Sequence, residues 1–330
     1  MKYRVNVELG DLCSKIAYGY AKKTFKNRKG SVGSSLNIEG GFSGLLDFGS
    51  FCLCFNSDGT GTKSSVAHSV KKYDTLGCDL VAMVADDAVT LGAEPVSMIN
   101  NLDIDKVNPG IIKPLMRGLE KAAETAGITV AGGEIAEVPD LVKGICWNAA
   151  LIGIVDKNKV IDGSRISKGD KIIGLLTDNF RSNGFTLIRD VLKKKLGDLW
   201  HNKKYSKGKS WGEAVLAPSK IFTPFILDLA GRYKKKAKAK ITGIAHITGG
   251  GIYNNIKRII PGGLKADIYN IPEPPKIFKE LINLGSINKK TAYNTFNMGV
   301  GMVIITPESE KILKYLKAKN LPAEIIGVVK

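Results

Sequence analysis

The hydrophobic and polar positions in the first half of the chain predict strands that alternate with helices. Short apolar runs predict strands at 51–55, 96–104, 128–131 and 145–155. Apolar residues that recur every three to four positions predict helices at 12–26, in a long segment ending at Gly92, and at 109–126. In the first helix, Ile16, Tyr20 and Ala21 are expected to face inward. This alternation is typical of an α/β or α+β layer in which helices pack on a sheet.

The second half of the chain predicts a further domain. The polar, turn-rich segment 162–170 is the best boundary, which gives domains at 1–162 and 163–330. Beyond it, strands are predicted at 171–176, 241–245, through Ile305 and at 323–329, and helices at 185–195, 219–230, 252–259, 275–284 and 308–319. Ser182 or Asn183 is available as the N-cap of the helix that begins at Phe185.

The long helical segment before Gly92 carries an acid on its apolar side. At about 100° per residue, one side collects Leu76, Leu80, Met83, Val84, Ala88 and Leu91. Asp87 falls within the same arc, and Asp79 and Asp86 lie just off its edge. A buried carboxylate is costly unless a positive group meets it. Three interpretations are open. The solvent-exposed side of this helix lies elsewhere than the arc suggests, or backbone groups cap Asp87, or Asp87 belongs to a functional site.

A second acid favours a site. Asp58 ends the strand at 51–55 and opens a turn formed by Gly59, Thr60, Gly61, Thr62 and Lys63. Two carboxylates beside a glycine loop can share a divalent cation with a polyphosphate, because Mg²⁺ typically takes one or two protein carboxylates together with substrate phosphates. The turn is not a P-loop, since that motif needs glycine directly before its lysine.

Three further glycine-rich segments are candidates for anion or metal contacts. Gly40 and Gly41 belong to a loop that closes over a phosphate or is a plain linker. Glu134 and Glu137 follow a glycine pair and either bind metal, take protons or are ordinary loop charges. The strongest is the turn that His246 opens, which continues through Thr248, Gly249, Gly250 and Gly251 to a helix N-terminus, where backbone amides can approach an anion.

Composition limits the alternatives. Hydrophobic residues at 44% and charged residues at 24% are ordinary globular values. No apolar run approaches the ~18–20 residues that a membrane span needs, and no signal peptide is evident. The five cysteines have no metal-site spacing, so we expect a reduced cytoplasmic protein with no membrane partner. The net charge of +18 raises a nucleic-acid-binding alternative. The lysine runs lack interleaved aromatics, however, and a solvated basic surface is the favoured interpretation, with no nucleic acid as partner.

Taken together and in order, these motifs resemble those of the AIR synthetase (phosphoribosylformylglycinamidine cyclo-ligase) family of purine biosynthesis. The similarity runs from about Lys22 to the C-terminus and includes the segment 295–302. The resemblance implies a two-domain α/β fold whose N-terminal domains pair into a shared barrel in a homodimer. It also implies that ATP and Mg²⁺ are used to close the imidazole ring of a small-molecule ribonucleotide through a phosphorylated amide oxygen.

The resemblance also implies residue roles. Asp58 and Asp87, with Asp86 as auxiliary, would bind Mg²⁺, and Lys63 with the turn Gly59 to Thr62 would hold ATP phosphates. Gly249 to Gly251, with His246 and Thr248, would hold an anion. Glu134, Glu137, Gly40 and Gly41 would contact metal or nucleotide, and Arg181, Ser182 and Asn183 would contact substrate or phosphate.

Three departures from the family pattern stand out. Family members usually carry histidine where this chain has Arg181, and arginine cannot act as a general base at neutral pH. The glycine-rich lid is short, and the C-terminus is shorter than in typical members. Other ATP-using members of the superfamily, such as thiamine-monophosphate kinase, remain the alternative within this fold.

Overall fold

The first half of the chain folds around a six-stranded sheet. The structure is a computed structural model that describes residues 7–38 and 40–330. Its strands are β1 (Ser34–Leu36), β2 (Gly44–Asp47), β3 (Phe51–Gly59), β4 (Glu94–Ile104), β5 (Thr129–Glu137) and β6 (Ile145–Asp156). Within the described residues they lie in the order β1-β2-β3-β6-β4-β5, with β4 and β5 parallel and the other neighbours antiparallel.

The helices of this half are α1 (Val7–Thr24), α2 (Lys63–Val70), α3 (Leu76–Thr90) and α4 (Pro109–Ala126). Helix α3 is the centre of the molecule, because every residue of it except Cys78 is buried. It contacts β3 and β6 of the first sheet and β10 (Gly243–His246) of the second half. It also packs closely on α4, where a Cβ added at Gly77 of α3 would lie 2.2 Å from the carbonyl carbon of Gly118.

The second half is built on an antiparallel sheet in the order β10-β12-β7-β13-β11. The strands are β7 (Lys171–Leu176), β8 (Lys204–Ser206), β9 (Lys209–Ser210), β10 (Gly243–His246), β11 (Ala266–Ile268), β12 (Val300–Thr306) and β13 (Ala323–Val329), and β8 and β9 form a separate pair. The helices are α5 (Phe185–Leu196), α6 (Trp211–Val215), α7 (Thr223–Ala230), α8 (Gly251–Ile259), α9 (Lys276–Gly285), α10 (Lys289–Thr295) and α11 (Ser309–Ala318).

Most strands and helices lie where the sequence pattern predicts them, and the chain is a mixed α and β protein as expected. Helix α4 and strands β7 and β13 have the predicted bounds. No helix in the described part of the chain is long and apolar enough to cross a membrane.

Four local predictions are wrong. The segment before Gly92 is two helices, α2 and α3, because Lys71 adopts a left-handed conformation that ends α2. Strand β5 is longer than predicted, and its residues are exposed rather than buried. Helix α5 has Gly184 at its N-cap, with no side-chain cap. On α1, Ile16 and Tyr20 are exposed rather than packed inward.

Candidate functional site

Asp58 and Asp87 face the same interior space. On β3, the side chains of Cys52, Cys54 and Asp58 alternate onto the face that packs against α3, which carries Asp87. Burial, followed by the charge of Asp87, raises the pKa of Asp58 to about 6. Burial raises the pKa of Asp87 to about 8, against opposing effects of Arg258 and Arg181. The groups around the two acids therefore supply too little positive charge to keep both carboxyl groups ionised at neutral pH.

His246 fixes the position of Asp87. It ends β10, is fully buried, and its Nδ1 lies 2.7 Å from Oδ1 of Asp87. Its Nε2 lies 2.7 Å from Nη1 of Arg181. Burial, with a further contribution from the charge of Arg181, lowers the pKa of His246 to about 3, so its ring is neutral at neutral pH. Both ring nitrogens are engaged by protein groups, and the role predicted for His246 in holding an anion stays a prediction.

Arg181 lies in the protein interior, and its predicted contact with substrate or phosphate stays a prediction. It is fully buried, and its Nη2 donates to Oδ2 of Asp86 at 2.6 Å. The other oxygen of Asp86 accepts from the backbone N–H groups of Phe222 and Thr223 and from Oγ1 of Thr223. Both oxygens of Asp86 are occupied by protein donors, and its carboxylate anchors Arg181 in the interior. The predicted auxiliary role of Asp86 in metal binding stays a prediction.

Lys63 is held in the protein interior. Its side chain is fully buried, and Nζ donates to Oδ1 of Asp79 at 2.7 Å and to the carbonyl oxygens of Arg181 and Ala217. Three acceptors use all three protons of an ammonium group. In this structure Lys63 thus connects α2 to the loops of the second half, and its predicted contact with ATP phosphates stays a prediction.

Asn183 and the glycine turn form the rim of the site. The Gly249 N–H donates to Oδ1 of Asn183 at 3.2 Å, and Gly250 is the left-handed N-cap of α8. Gly251 also has positive φ, and a Cβ there would lie 1.7 Å from the Tyr293 carbonyl oxygen, so no other residue fits. Across the rim, Thr62 and Thr186 hydroxyls lie 3.3 Å apart. The two halves of the chain thus meet at the site.

Several predicted contacts point elsewhere. Glu134 pairs with Asn101 on the opposite face of the first sheet from Asp58, and Glu137 accepts from the Val107 N–H at 2.7 Å. Neither glutamate therefore belongs to the site formed by Asp58 and Asp87 of the same chain. The Thr60 hydroxyl is buried and bonds to Ser64, and the Ser182 hydroxyl donates to Asp79.

The Gly40–Gly41 loop packs on α8 in this structure. A Cβ at Gly40 would lie 1.9 Å from the Arg258 carbonyl oxygen, and the Arg258 guanidinium donates to the Gly41 carbonyl oxygen at 3.1 Å. The same guanidinium lies 4.1 Å from the centre of the Phe42 ring. Arg258 lowers the pKa of Asp87, so it belongs to the electrostatic surroundings of the site. The sequence offered no signal for it, since a basic residue in the last turn of a helix is ordinary.

The two acids fit a divalent cation. Their raised pKa values show a deficit of positive charge, which a bound cation would supply. Mg²⁺ usually takes one or two protein carboxylates and completes its shell with water and phosphate oxygens. Among the described residues, no group of three or more His, Cys, Asp or Glu is arranged to hold a metal. Any Mg²⁺ held by Asp58 and Asp87 would therefore need water or phosphate oxygens for the rest of its shell.

Comparison with known proteins decides the family. Residues 42–155 match the N-terminal domain of AIR synthase related proteins, and residues 167–330 match their C-terminal domain. The chain is 41% identical over 291 residues to a phosphoribosylformylglycinamidine cyclo-ligase of Thermoplasma volcanium, covering 88% of this chain and 83% of the relative. This chain belongs to the phosphoribosylformylglycinamidine cyclo-ligase family. The cyclo-ligase of Clostridium acetobutylicum is 36% identical and matches 99% of this chain and 95% of its own length.

Solved structures outside the cyclo-ligase family share its fold. AaThiL complexed with AMPPCP and TMP has a TM-score of 0.63 at 15% identity, covering 95% of this chain and 89% of that one. E. coli HypE, a hydrogenase maturation protein, has a TM-score of 0.59 at 19% identity, covering 84% and 79%. At these identities the likeness shows the fold alone.

Proposed function

We propose that this chain is a phosphoribosylformylglycinamidine cyclo-ligase, which uses ATP to close the imidazole ring of aminoimidazole ribonucleotide from formylglycinamidine ribonucleotide. The observation that carries the proposal is the buried pair Asp58 and Asp87, with raised pKa values, beside a rim that both halves of the chain build. The relatives named as cyclo-ligases match nearly the whole chain, which supports the same activity here.

The chemistry requires positioning and charge neutralisation. An amide oxygen is a poor leaving group, and phosphoryl transfer from ATP makes it a good one, after which the amidine nitrogen attacks the activated carbon and phosphate leaves. Holding the two reacting atoms together lowers the activation barrier by several kcal/mol, and by about 7–11 kcal/mol in the best-oriented systems. Mg²⁺, when bound, would neutralise charge on the transferred phosphoryl group.

Each residue of the proposed site has a separate role. Asp58 and Asp87 would hold the metal, and His246 holds Asp87 in place through the 2.7 Å hydrogen bond. At the start of α8 the Gly250 N–H would donate to a phosphate, since a helix N-terminus carries about half a positive charge. On either side of it, the Gly249 N–H donates to Asn183 and the Gly251 N–H donates to the Thr248 carbonyl oxygen, which holds the turn in shape. Asn183, whose Oδ1 already accepts from Gly249, would orient the substrate beside that turn.

A homodimer completes the proposal. The face of the first sheet opposite α3 exposes Phe55, Ile152, Ile99 and Val96, and Phe55 pairs directly with Ile152. A cluster of exposed apolar side chains on one sheet face is characteristic of an interaction surface. We propose that this outer face, defined by those four residues, packs against its copy in a second chain to form a shared barrel. Glu134 lies on the same face, so any functional contact of Glu134 would be made at that interface.

The division into domains follows the two sheets. Strands up to β6 belong to the first sheet, and strands from β7 onward belong to the second sheet or to the β8–β9 pair. We therefore keep the proposed domains at 1–162 and 163–330, with the first providing Asp58 and Asp87 and the second providing Asn183, His246 and the glycine turn.

Phosphate release from ATP tests the function. Purified protein is expected to release phosphate only when formylglycinamidine ribonucleotide and Mg²⁺ are both present, with aminoimidazole ribonucleotide formed in equal amount. ATP hydrolysis without the ribonucleotide, or no hydrolysis at all, would contradict the proposal. Phosphorylation of thiamine monophosphate in place of ring closure would instead support the alternative within the superfamily.

A further inference from the structure

Arg181 occupies an unusual backbone position. Its φ is 56°, a left-handed conformation that residues other than glycine rarely adopt. The side chain is fully buried, and the interior contacts of its guanidinium group hold the backbone in this strained conformation. These contacts connect Arg181 to both neighbouring acids of α3, directly to Asp86 and through His246 to Asp87.

The guanidinium determines where the proton of His246 lies. Nη1 of Arg181 donates to the Gly301 carbonyl oxygen at 3.0 Å and lies 2.7 Å from Nε2 of His246. Arginine has donors and no acceptor, so Nε2 must accept and carry no proton. The single proton of the neutral ring is then on Nδ1, which donates to Oδ1 of Asp87 at 2.7 Å. A donor-only group at position 181 therefore selects one tautomer of His246.

A second set of contacts fixes the guanidinium group of Arg181 on the side away from His246. Nη2 of Arg181 donates to Oδ2 of Asp86 and to the Lys220 carbonyl oxygen, and Asp86 is held by three further donors from Phe222 and Thr223. The guanidinium also lies 5.0 Å from the centre of the Phe222 ring. Because its plane is held from several directions, Arg181 can present Nη1 to His246 in one orientation only.

We propose that Arg181 is a positioning residue for metal binding: it locks His246 in the Nδ1–H tautomer, and His246 thereby holds one oxygen of Asp87 and leaves the other for the cation. The proposal rests on the proposed function for the identity of that cation. Partners behind a metal ligand that fix its orientation typically change metal affinity about 10–100-fold when removed. A histidine at position 181 would not select a tautomer in this way, because imidazole can accept as well as donate.

The tautomer can be measured without metal or nucleotide. The chain has three histidines, His68, His201 and His246, so ¹⁵N spectra of histidine-labelled protein can be assigned by comparison with His246→Asn. In chelator-treated wild-type protein, His246 is expected to show a protonated Nδ1 and an unprotonated Nε2. A protonated Nε2, or an equal mixture of tautomers, would overturn the proposal.

Variants test the link to the metal. Arg181→Leu is expected to abolish the single tautomer and to weaken Mg²⁺ binding, measured by calorimetry with AMPPCP present, by about 10–100-fold. Arg165→Leu is the matched control, since Arg165 is exposed and its loss removes the same charge. If Arg181→Leu leaves both the tautomer and Mg²⁺ affinity unchanged, Arg181 has no positioning role.

A second pair of variants covers the case in which Arg181→Leu does not fold. His246→Asn places an amide N–H near the position of Nδ1, and His246→Gln places it near Nε2. Weaker Mg²⁺ binding by His246→Gln than by His246→Asn is expected, and the reverse order would overturn the proposal. Wild-type protein that binds no Mg²⁺ would also overturn it, whereas Mg²⁺ binding without ring closure would count against the proposed function alone.

Discussion

Nζ of Lys63 lies 2.7 Å from Oδ1 of Asp79, and neither side chain is exposed to solvent. Burial lowers the pKa of Lys63 and raises the pKa of Asp79, which opposes ionisation of both. The three acceptors around Nζ nevertheless require three protons, so the pair is charged. Since two of these acceptors lie at 181 and 217, the ion pair connects the first half of the chain to the loops around the site.

Removing one partner of this ion pair should destabilise the protein. Lys63→Met leaves the Asp79 carboxylate buried without a counter-charge, and we expect a loss of about 3–5 kcal/mol in the free energy of unfolding, measured in urea. Lys193→Met is the control, because the Lys193–Asp198 pair is exposed and should contribute less than about 1 kcal/mol. If Lys63→Met keeps its stability but no longer binds ATP, the result would support the phosphate-binding role predicted for Lys63.

Loss of either site acid should abolish turnover without unfolding the protein. Asp87→Asn and Asp58→Asn replace buried carboxyl groups, whose ionised form burial disfavours, by neutral amides, so the melting temperature is expected to stay the same or rise. Magnesium-dependent phosphate release is expected to fall to background in both. Asp267→Asn, at a surface pair with Lys330, should keep full activity. Near-normal turnover by Asp87→Asn would remove its metal role.

The contact between α4 and the turn that precedes α3 should tolerate no side chain at Gly118. A Cβ there would lie 2.2 Å from the Asp74 carbonyl oxygen, and backbone cannot move aside as a flexible side chain can. Gly118→Ala is therefore expected to cost about 1–3 kcal/mol or more by overpacking, measured by thermal unfolding. Gly19→Ala, in α1 with no atom within 4 Å of the added Cβ, should be neutral or slightly stabilising. Equal stability of the two variants would argue against the close helix contact.

A charge on the outer face should separate the proposed dimer. Ile152 is 50% exposed and pairs with Phe55 at the centre of that face, so Ile152→Asp would bury a carboxylate in the interface. We expect sedimentation to show a dimer for wild type and a monomer for Ile152→Asp. Leu141→Asp is the control, since Leu141 is 86% exposed and lies outside the outer face. A monomeric wild-type protein would refute the shared barrel.

Cys54 should resist thiol reagents in the native state. Burial raises the pKa of Cys54 to about 12, and the side chain has no exposed surface. Because the thiolate is the reactive form, labelling with a disulfide reagent at pH 8 is expected to be slow until the protein unfolds. The exposed Cys13 serves as the internal reference, and its labelling should be fast. Rapid modification of Cys54 in folded protein would show that β3 is accessible on the side that faces α3.

Local patterns predicted the elements well because strand and helix periods are properties of short segments. Helix α4 shows this, since its apolar spacing and Asn108 N-cap are encoded within the segment itself. Strand β5 shows the limit. Its exposure depends on its place at the edge of a sheet, and nothing within Thr129–Glu137 states that place. The same limit explains α1, whose apolar residues predicted an inward face that the described structure does not bury.

The candidate site divides in the same way. The apolar arc of the helix predicted Asp87 as a site residue. The structure places Asp87 close enough to Asp58 for its charge to raise the pKa of Asp58. The family resemblance implied that Lys63 holds phosphate and that Arg181 contacts substrate or phosphate. The structure buries both side chains, and each forms an ion pair with a buried acid of α3.

By itself, the sequence determined which segments form helices and strands, where glycine must allow tight turns, and which family motifs the chain carries, because all of these are local or are read in order along the chain. Only the tertiary structure decided which charged groups meet, because a buried carboxylate is neutralised by whichever donor the packing brings to it. Asp86 with Arg181 and Asp79 with Lys63 are separated by 95 and 16 positions, and only packing brings either pair within hydrogen-bonding distance.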